Sequence, residues 1–481
     1  VRQGRPVGAG GRRHADGARV GDHGRGHPAL SAPEDLLNLA EDVCRQAKAA
    51  GADDADVLIG AGTEFSVTVR KQEVENIVEA SSRALGLRVI KGGRVAVGYS
   101  SDFTPESLRQ FVADTIDKAA ISDVDEAAGL PDDGYGQVDP ASLDLFDPDI
   151  EDMDGDRAIE LARRCEQAGF DADSRISNSG GAGYGYNTGS RVLVNTRGFA
   201  GSSRGSGCSL SVELMADDAD GKKQNDYWYT ADRYFKKLES PESVGRKAAE
   251  RAVRKLGARK VPTREVPVVW DPFVSRTLVG LLARSASGEL LYRRSSFLLD
   301  LEGQQIASPL LNIVDDPLLS GKLGSRAFDG EGLISVRNEL FREGTFQHFL
   351  LDTYTARKTG RASTHSAVRG VGGTPSVGTS NLLLLPGTYA PDEIIASVED
   401  GLYLTELLGF GDNLTTGDFS RGAAGLWIEH GQLSYPVSEI NVSGNLKDMI
   451  RNVDMVGTDV DYRSSTVAPT ILMSKLMVSG L

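Results

Sequence analysis

The stretch SRALGLRVIKGGRVAVGYSS, residues 82–101, sets how the chain begins to fold. Two apolar-rich runs flank Lys91-Gly92-Gly93-Arg94, and paired glycines at that place read as a β-hairpin turn. Working upstream, ADVLIG (55–60), EFSVTVR (64–70) and EVENIVEA (73–80) are strand-like. Before them, 34–50 places Leu37, Ala40, Val43, Cys44 and Ala47 on one helical stripe, and Gly51 is a natural stop. Downstream, Thr104-Pro105-Glu106 starts a helix, with Thr as cap and Pro in the first turn. Helix, antiparallel strands and helix make an α+β unit.

The rest of the chain divides by texture. Residues 119–156 hold thirteen acids and no Lys or Arg, which reads as a solvated linker. A helix over 156–168 follows, then Gly-rich strands around 174–215 and a capped helix at 240–257. From 262 onward short apolar runs alternate with Gly, Asn, Asp and Pro. EVPVVW, NLLLLPG, LWIEHGQLSYPV and APTILMSKLMVSG all read as strands of a β-rich, barrel-like domain. The expected fold class is therefore α+β in two domains. Residues 1–32 form a disordered tail, 33–258 an N-terminal α+β domain containing the acidic linker, and 262–481 the β-rich C-terminal domain.

Charge and composition narrow the function. The Gly- and Arg-rich tail reads as a tag-like or wrongly started extension, or as a basic arm. It carries six Arg and two Asp, +4, so the remainder is −15 − 4 = −19. A body that acidic repels phosphate backbones and argues against nucleic-acid binding. No apolar run approaches the ~20 residues of a membrane span. Cys44, Cys165 and Cys208 lack CxxC spacing, which suits a reducing cytoplasm. Outside the tail only His348, His365 and His430 occur, widely separated.

Local motifs give little chemistry. GSSRG at 201–205 fits G-x-S-x-G, but the alternating residues after it do not suit a nucleophile elbow. DMDGD at 152–156 resembles a calcium loop, yet Arg157 and Arg163 stand where Gly and Glu are required. Gly321-Lys322 is followed by Leu323, so no phosphate loop is present.

Longer blocks carry more. TTGDFSRGAAGLWIEHGQLSYPVSEINVSGNLKDMI (415–450), FQHFLLDTYTARKTG (346–360), PSVGTSNLLLLPG (375–387) and VAPTILMSKLMVSG (467–480) are similar to the TldD/PmbA metalloprotease family. Residues 69–102 resemble that family's first domain. The resemblance covers roughly 35–481, with several blocks in the right order. It implies a zinc protease system, once called modulator of gyrase, in which TldD chains bind zinc through an HExxxH helix and a C-terminal Cys. TldE (PmbA) chains lack these ligands and pair with TldD, and the pair acts on unfolded peptides and small proteins.

By that resemblance LLARSASG (281–288) lies where TldD chains have LL-HExxxH. Ala283 and Gly288 replace the histidines and Arg284 replaces the Glu, while no Cys follows Cys208. Zinc hydrolysis needs about three protein ligands and an open water position. Ala and Gly supply none, and Arg does not accept a proton at neutral pH. A five-residue His offset turns a regular helix by about 500°, so the catalytic branch needs a π-like distortion there, which this chain need not keep. Val274, Leu278, Leu281 and Leu282 still space as a core face. The SGNL block (443–446) matches the TldE branch, with Ser443 or Asn445 capping a helix.

The resemblance thus implies a cytoplasmic, catalytically silent TldE-type subunit. It would have no catalytic or metal residues and no cofactor of its own. Zinc would sit in a TldD-type partner carrying HExxxH, within a hetero-oligomer that takes unfolded peptides; its peptide-binding residues are not assigned. The alternatives are a stand-alone peptide-binding or chaperone-like protein, and an independent enzyme using Ser or carboxylates, for which no motif is assembled.

Overall fold

The computed structural model describes residues 33–219 and 221–480. The tail 1–32 lies outside the described residues. The chain opens with helix α1 (Pro33–Ala49) and strands β1 (Asp54–Arg70), β2 (Glu73–Lys91) and β3 (Arg94–Ser100). Helices α2 (Pro105–Ile121), α3 (Pro140–Leu143) and α4 (Gly155–Ala172) follow, then β4 (Ile176–Asn195), β5 (Ala200–Asp217), β6 (Lys223–Asp232) and α5 (Pro241–Val253). The six strands form one antiparallel sheet in the order β3-β2-β1-β4-β5-β6.

Strands expected separately are continuous. EFSVTVR and ADVLIG fuse into the 17-residue β1, and 73–91 is one 19-residue strand. Odd-numbered residues of β1 share one face because strand side chains alternate. Val57, Ile59 and Ala61 pack beneath α1 and α2, whereas Phe65, Val67 and Val69 pack beneath α4 and α5. Two helix pairs therefore lie end to end on one face of a long sheet. On the opposite face Leu58 and Leu193 meet Phe328, so the C-terminal domain leans on the first half of the strands.

The helix starts follow their capping chemistry with one exception. Asp154 and Ser240 accept backbone N–H bonds from Arg157 and Ser243. Thr104 occupies the cap position of α2, but its side chain makes no cap bond. Asp102 substitutes, accepting from the Thr104 N–H at 2.9 Å and from the Ser107 hydroxyl at 2.6 Å. On α1, Leu36 rather than Leu37 is buried beside Ala40, Val43, Cys44 and Ala47.

The stretch read as a solvated linker is instead pinned down. Leu130, Leu143, Leu145, Ile150 and Met153 are buried. Asp125 pairs with Lys358 at 2.8 Å, and Asp132 bridges Arg197 and Arg357 at 2.8 and 3.2 Å. The acids are partners for cations on both flanking domains, so the apolar residues between them are drawn inward. GSSRG lies inside β5, with no strand–turn–helix elbow.

The C-terminal domain begins with β7 (Arg264–Trp270), α6 (Pro272–Ser285) and α7 (Gly288–Tyr292). Then come β8 (Ile313–Asp315), β9 (Asn338–Arg342), β10 (Thr345–Phe346), α8 (Thr353–Thr359), β11 (Ala367–Val368), β12 (Ser376–Val377) and β13 (Leu382–Leu384). Helix α9 (Pro391–Ala396) precedes β14 (Asp400–Leu408), β15 (Asp412–Asn413), β16 (Asp418–Glu429) and β17 (Gln432–Asn445). Helix α10 (Leu446–Arg451) leads to β18 (Val453–Val456), β19 (Thr466–Val467) and β20 (Ile471–Ser479).

Five of these strands close on themselves. β7 pairs with β14, β14 with β16, β16 with β17, β17 with β20, and β20 with β7. Closure leaves no free edge within the ring. Trp270, Trp427, Val442 and Met473 are buried in its core, against which the Val274, Leu278, Leu281 and Leu282 face of α6 packs. A second sheet, β10-β9-β8-β13-β19, flanks it. Asn445 caps α10 by accepting from the Lys447 N–H at 3.1 Å. The expected α+β class with a barrel-like C-terminal domain is what the strands form.

Candidate functional site

The segment 281–292 borders two clefts. One, about 460 Å³, runs along Gly280, Ala283, Arg284 and Ser287. The other, about 350 Å³, opens between Glu289, Tyr292 and Tyr354 on one side and Arg88, Asp123 and Glu331 on the other. Glu289 and Val377 line both.

The helix expected across LLARSASG is interrupted. α6 ends at Ser285, and α7 restarts at Gly288 with Ser287 as its cap. The break is satisfied by main chain. Leu350 N–H donates to Ala286 O and Gly288 N–H donates to Leu350 O, both at 2.8 Å. Side chains hold it as well: Ser285 Oγ donates to Leu281 O at 2.9 Å, and Ser296 Oγ donates to Ser285 O at 2.6 Å. The backbone polar groups that a continuous helix would pair internally are thus paired with the 350 segment.

The three positions aligned with the zinc motif do not come together as a site. Ala283 is buried in the core, Arg284 is exposed, and Gly288 is buried against α8. A Cβ on Gly288 would lie 2.5 Å from Leu351 Cδ2 and 2.5 Å from Thr355 Oγ1. Thr355 has little freedom to retreat, because it donates to Asp352 Oδ1 at 2.6 Å in the capping box of α8. A histidine side chain has no space at 288 in this packing. The residues present do not fit a zinc ion. His348, His365 and His430 are each engaged singly, with Phe349 O, Ile334 O and Glu399 respectively. Among the described residues no cluster of three His, Cys, Asp or Glu could hold a metal. Burial pushes the thiols of Cys44, Cys165 and Cys208 up, the reverse of a reactive cysteine.

Charge is concentrated on the other cleft. Asp56 of β1 is buried and accepts from Arg88 Nε at 2.9 Å; Arg88 Nη2 and Arg369 Nη1 also bond it. Burial pushes Asp56 up, but the guanidiniums of Arg369 and Arg88 outweigh it and hold the carboxyl below its ordinary value. The triad joins the N-terminal sheet to the C-terminal domain. Glu331, 3% exposed, accepts the Thr353 N–H at 2.9 Å. Burial, reinforced by neighbouring Asp329, raises its carboxyl to about 7, while Arg88 draws it back. None of these residues was singled out in the sequence. They are scattered along the chain with no local spacing, and only the contact between domains assembles them.

Comparison with known proteins agrees with this architecture. Three family models match the chain: PmbA/TldA metallopeptidase domain 1 at 55–121, the central domain at 148–256 and the C-terminal domain at 263–480. The chain belongs to the PmbA/TldD family, on its PmbA branch. It is 35% identical to metalloprotease PmbA of Escherichia coli O157:H7 over 94% of this chain and 98% of that protein. A PmbA homologue of Haemophilus influenzae is 36% identical, over 92% of this chain and 98% of its own. Among solved structures, a candidate modulator of DNA gyrase from Bacteroides thetaiotaomicron superposes with TM-score 0.87 at 30% identity, covering 93% and 99%. TldE of Thermococcus kodakarensis shares the fold, with TM-score 0.82 at 20% identity and coverage of 92% and 100%. Membership of this PmbA/TldD family places the chain in a metalloprotease system. Among the described residues no helix is long and apolar enough to cross a membrane.

Proposed function

We propose that this PmbA/TldD member is a non-catalytic, TldE-type subunit of a cytoplasmic TldD/TldE zinc metalloprotease acting on unfolded peptides. The observation that carries the reading is the closed packing at Gly288. Where the catalytic branch has a zinc histidine, this chain has the Leu351 and Thr355 side chains closer than van der Waals contact to any Cβ. The neighbouring positions are an aliphatic Ala283 and a solvent-facing Arg284, neither a ligand nor a base. Zinc and the water-activating Glu would then belong to a TldD-type partner carrying HExxxH. This chain would complete the chamber and hold substrate.

The test is affinity capture of the tagged chain from its own host. The expected result is a stoichiometric family member bearing HExxxH, zinc in the complex, and hydrolysis of an unfolded peptide by the pair but not by this chain alone. Recovery of the chain by itself, as a stable homo-oligomer, would end the subunit reading and favour a stand-alone peptide-binding protein.

A further inference from the structure

The cleft beside Glu331 is built unlike an ordinary interdomain gap. Glu331 and Arg88 are both nearly buried, yet both line it. Oε2 of Glu331 accepts the Thr353 N–H, and the carboxylate itself lines the cleft. Among the described residues no cation pairs with it, and Arg88 and Arg369 are both committed to Asp56. A carboxylate has about four acceptor sites, so one that lines a cleft and takes a backbone donor keeps capacity to accept from a ligand.

The rim repeats the sign. Asp123 is exposed and has no partner among the described residues, and Asp352 spends its carboxylate on capping α8 rather than on a cation. Asp125 and Glu289 are already balanced by Lys358 and Arg293. The walls are apolar and aromatic. Tyr292 and Tyr354 meet edge to face, with ring centroids 6.2 Å apart, and Val95, Pro375 and Val377 add apolar surface beside Thr374 and Ser376. An aliphatic stem with an ammonium or guanidinium head suits such walls and such a floor.

We propose that this cleft is a binding pocket for a cationic group of a peptide, a Lys or Arg side chain or an N-terminal ammonium, with Glu331 as its floor. That the ligand is a peptide rests on the function proposed above; the preference for a cation rests on the cleft alone. The cationic head sits on the Glu331 carboxylate, the stem packs along Tyr292 and Tyr354, and Asp123 attracts it at the mouth.

Calorimetry on the full chain at mildly alkaline pH tests it with three pentapeptide amides. They are acetyl-Gly-Gly-Lys-Gly-Gly-amide, its norleucine counterpart, and pentaglycine amide with a free amino terminus. The lysine or the free-amine peptide should bind roughly tenfold tighter than the norleucine peptide, the scale of one charge-assisted hydrogen bond. Whichever of the two binds identifies the source of the cation. Glu331→Gln should abolish the preference. Asp123→Asn, at an exposed site that leaves the fold intact, should reduce it several-fold. Equal binding of all three peptides, no binding of any, or a preference that survives both substitutions would overturn the proposal. Loss of the pocket with a captured HExxxH partner would leave the subunit reading standing. A functional pocket in a chain without such a partner would overturn only the subunit reading.

Discussion

The two clefts on either side of α7 differ in what was kept. At Gly288 the segment is packed tightly, with main chain paired to main chain and the side chains of Leu351 and Thr355 against the glycine. Across Glu289 the chain keeps buried charge: an Asp56–Arg88–Arg369 triad and the carboxylate of Glu331, held by the Thr353 N–H. Apolar packing at the first is cheap, whereas buried charge at the second costs free energy unless it is paired. The contrast teaches that one side of α7 is closed by backbone pairing and apolar packing while the other carries an expensive electrostatic arrangement.

The strongest way to break the comparison is to remove the centre of the triad. Asp56→Ala leaves two buried guanidiniums facing each other without a counter-charge. Breaking a buried pair in this way costs about 3–5 kcal/mol. Denaturant unfolding should show that loss, together with exposure of the face between Leu58 and Phe328 to solvent.

The reverse experiment on the quiet side should cost less. Gly288→His forces a side chain into Leu351 and the capped Thr355, and overpacking of this kind costs about 1–3 kcal/mol. The triple variant Ala283→His, Arg284→Glu, Gly288→His restores the residue types but not the space. Metal analysis after dialysis should show no stoichiometric zinc. A variant that folded normally and held one zinc would show that the segment is a dormant site rather than a closed one.

Glu331 sharpens the comparison through pH. Its folded carboxyl lies near 7, above the ordinary 4.5, so the native state holds the proton more tightly than the unfolded chain. Stability on this account is fully present below the ordinary carboxylate range. It falls as pH rises toward 7, because there the native state binds more protons. Glu331→Gln should flatten that decline by on the order of 2 kcal/mol between pH 5 and 8. Asp329 and Asp315 are raised in the same direction, chiefly by burial, so a residual slope of the same sign should remain. An unchanged slope would show that Glu331 is not the group that titrates.

Legibility in the sequence divided along a similar line. The turn at Gly92-Gly93 was readable because both residues take positive φ, 58° and 72°, without a Cβ penalty. The turn at Lys71-Gln72 has the same backbone, φ 52° and 66°, but no glycine. It is held by Glu166, whose carboxylate accepts both turn N–H groups at 2.9 and 2.8 Å from far along the chain. That long-range partner, not a turn residue, holds the link between β1 and β2. The barrel strands were legible one by one through alternation. A barrel-like domain was expected from them, but not which strands close it, because that depends on the β14–β16 and β7–β20 pairings. At the site, the absences at Ala283, Arg284 and Gly288 stood out against a familiar motif. Asp56, Arg88 and Glu331 carried no pattern at all, since acid and base residues on strands and loops are common and only tertiary contact gives them partners.

The smallest expected effect is at Arg284, and it discriminates between two accounts of the quiet side. If the segment were a catalytic helix lacking only its general base, Arg284→Glu would be the single most informative repair. In the structure that side chain faces solvent beyond the core face of α6, while its neighbours Ala283 and Ser285 are buried. An exposed substitution away from caps and pairs usually changes stability by within about 0.5 kcal/mol. A carboxylate there would have no metal-bound water to activate and no buried partner to shift its pKa. Arg284→Glu should therefore leave unfolding unchanged and give the isolated chain no peptide hydrolysis. Measurable hydrolysis from that one change would mean that the remaining catalytic groups are already in place despite the packing at Gly288.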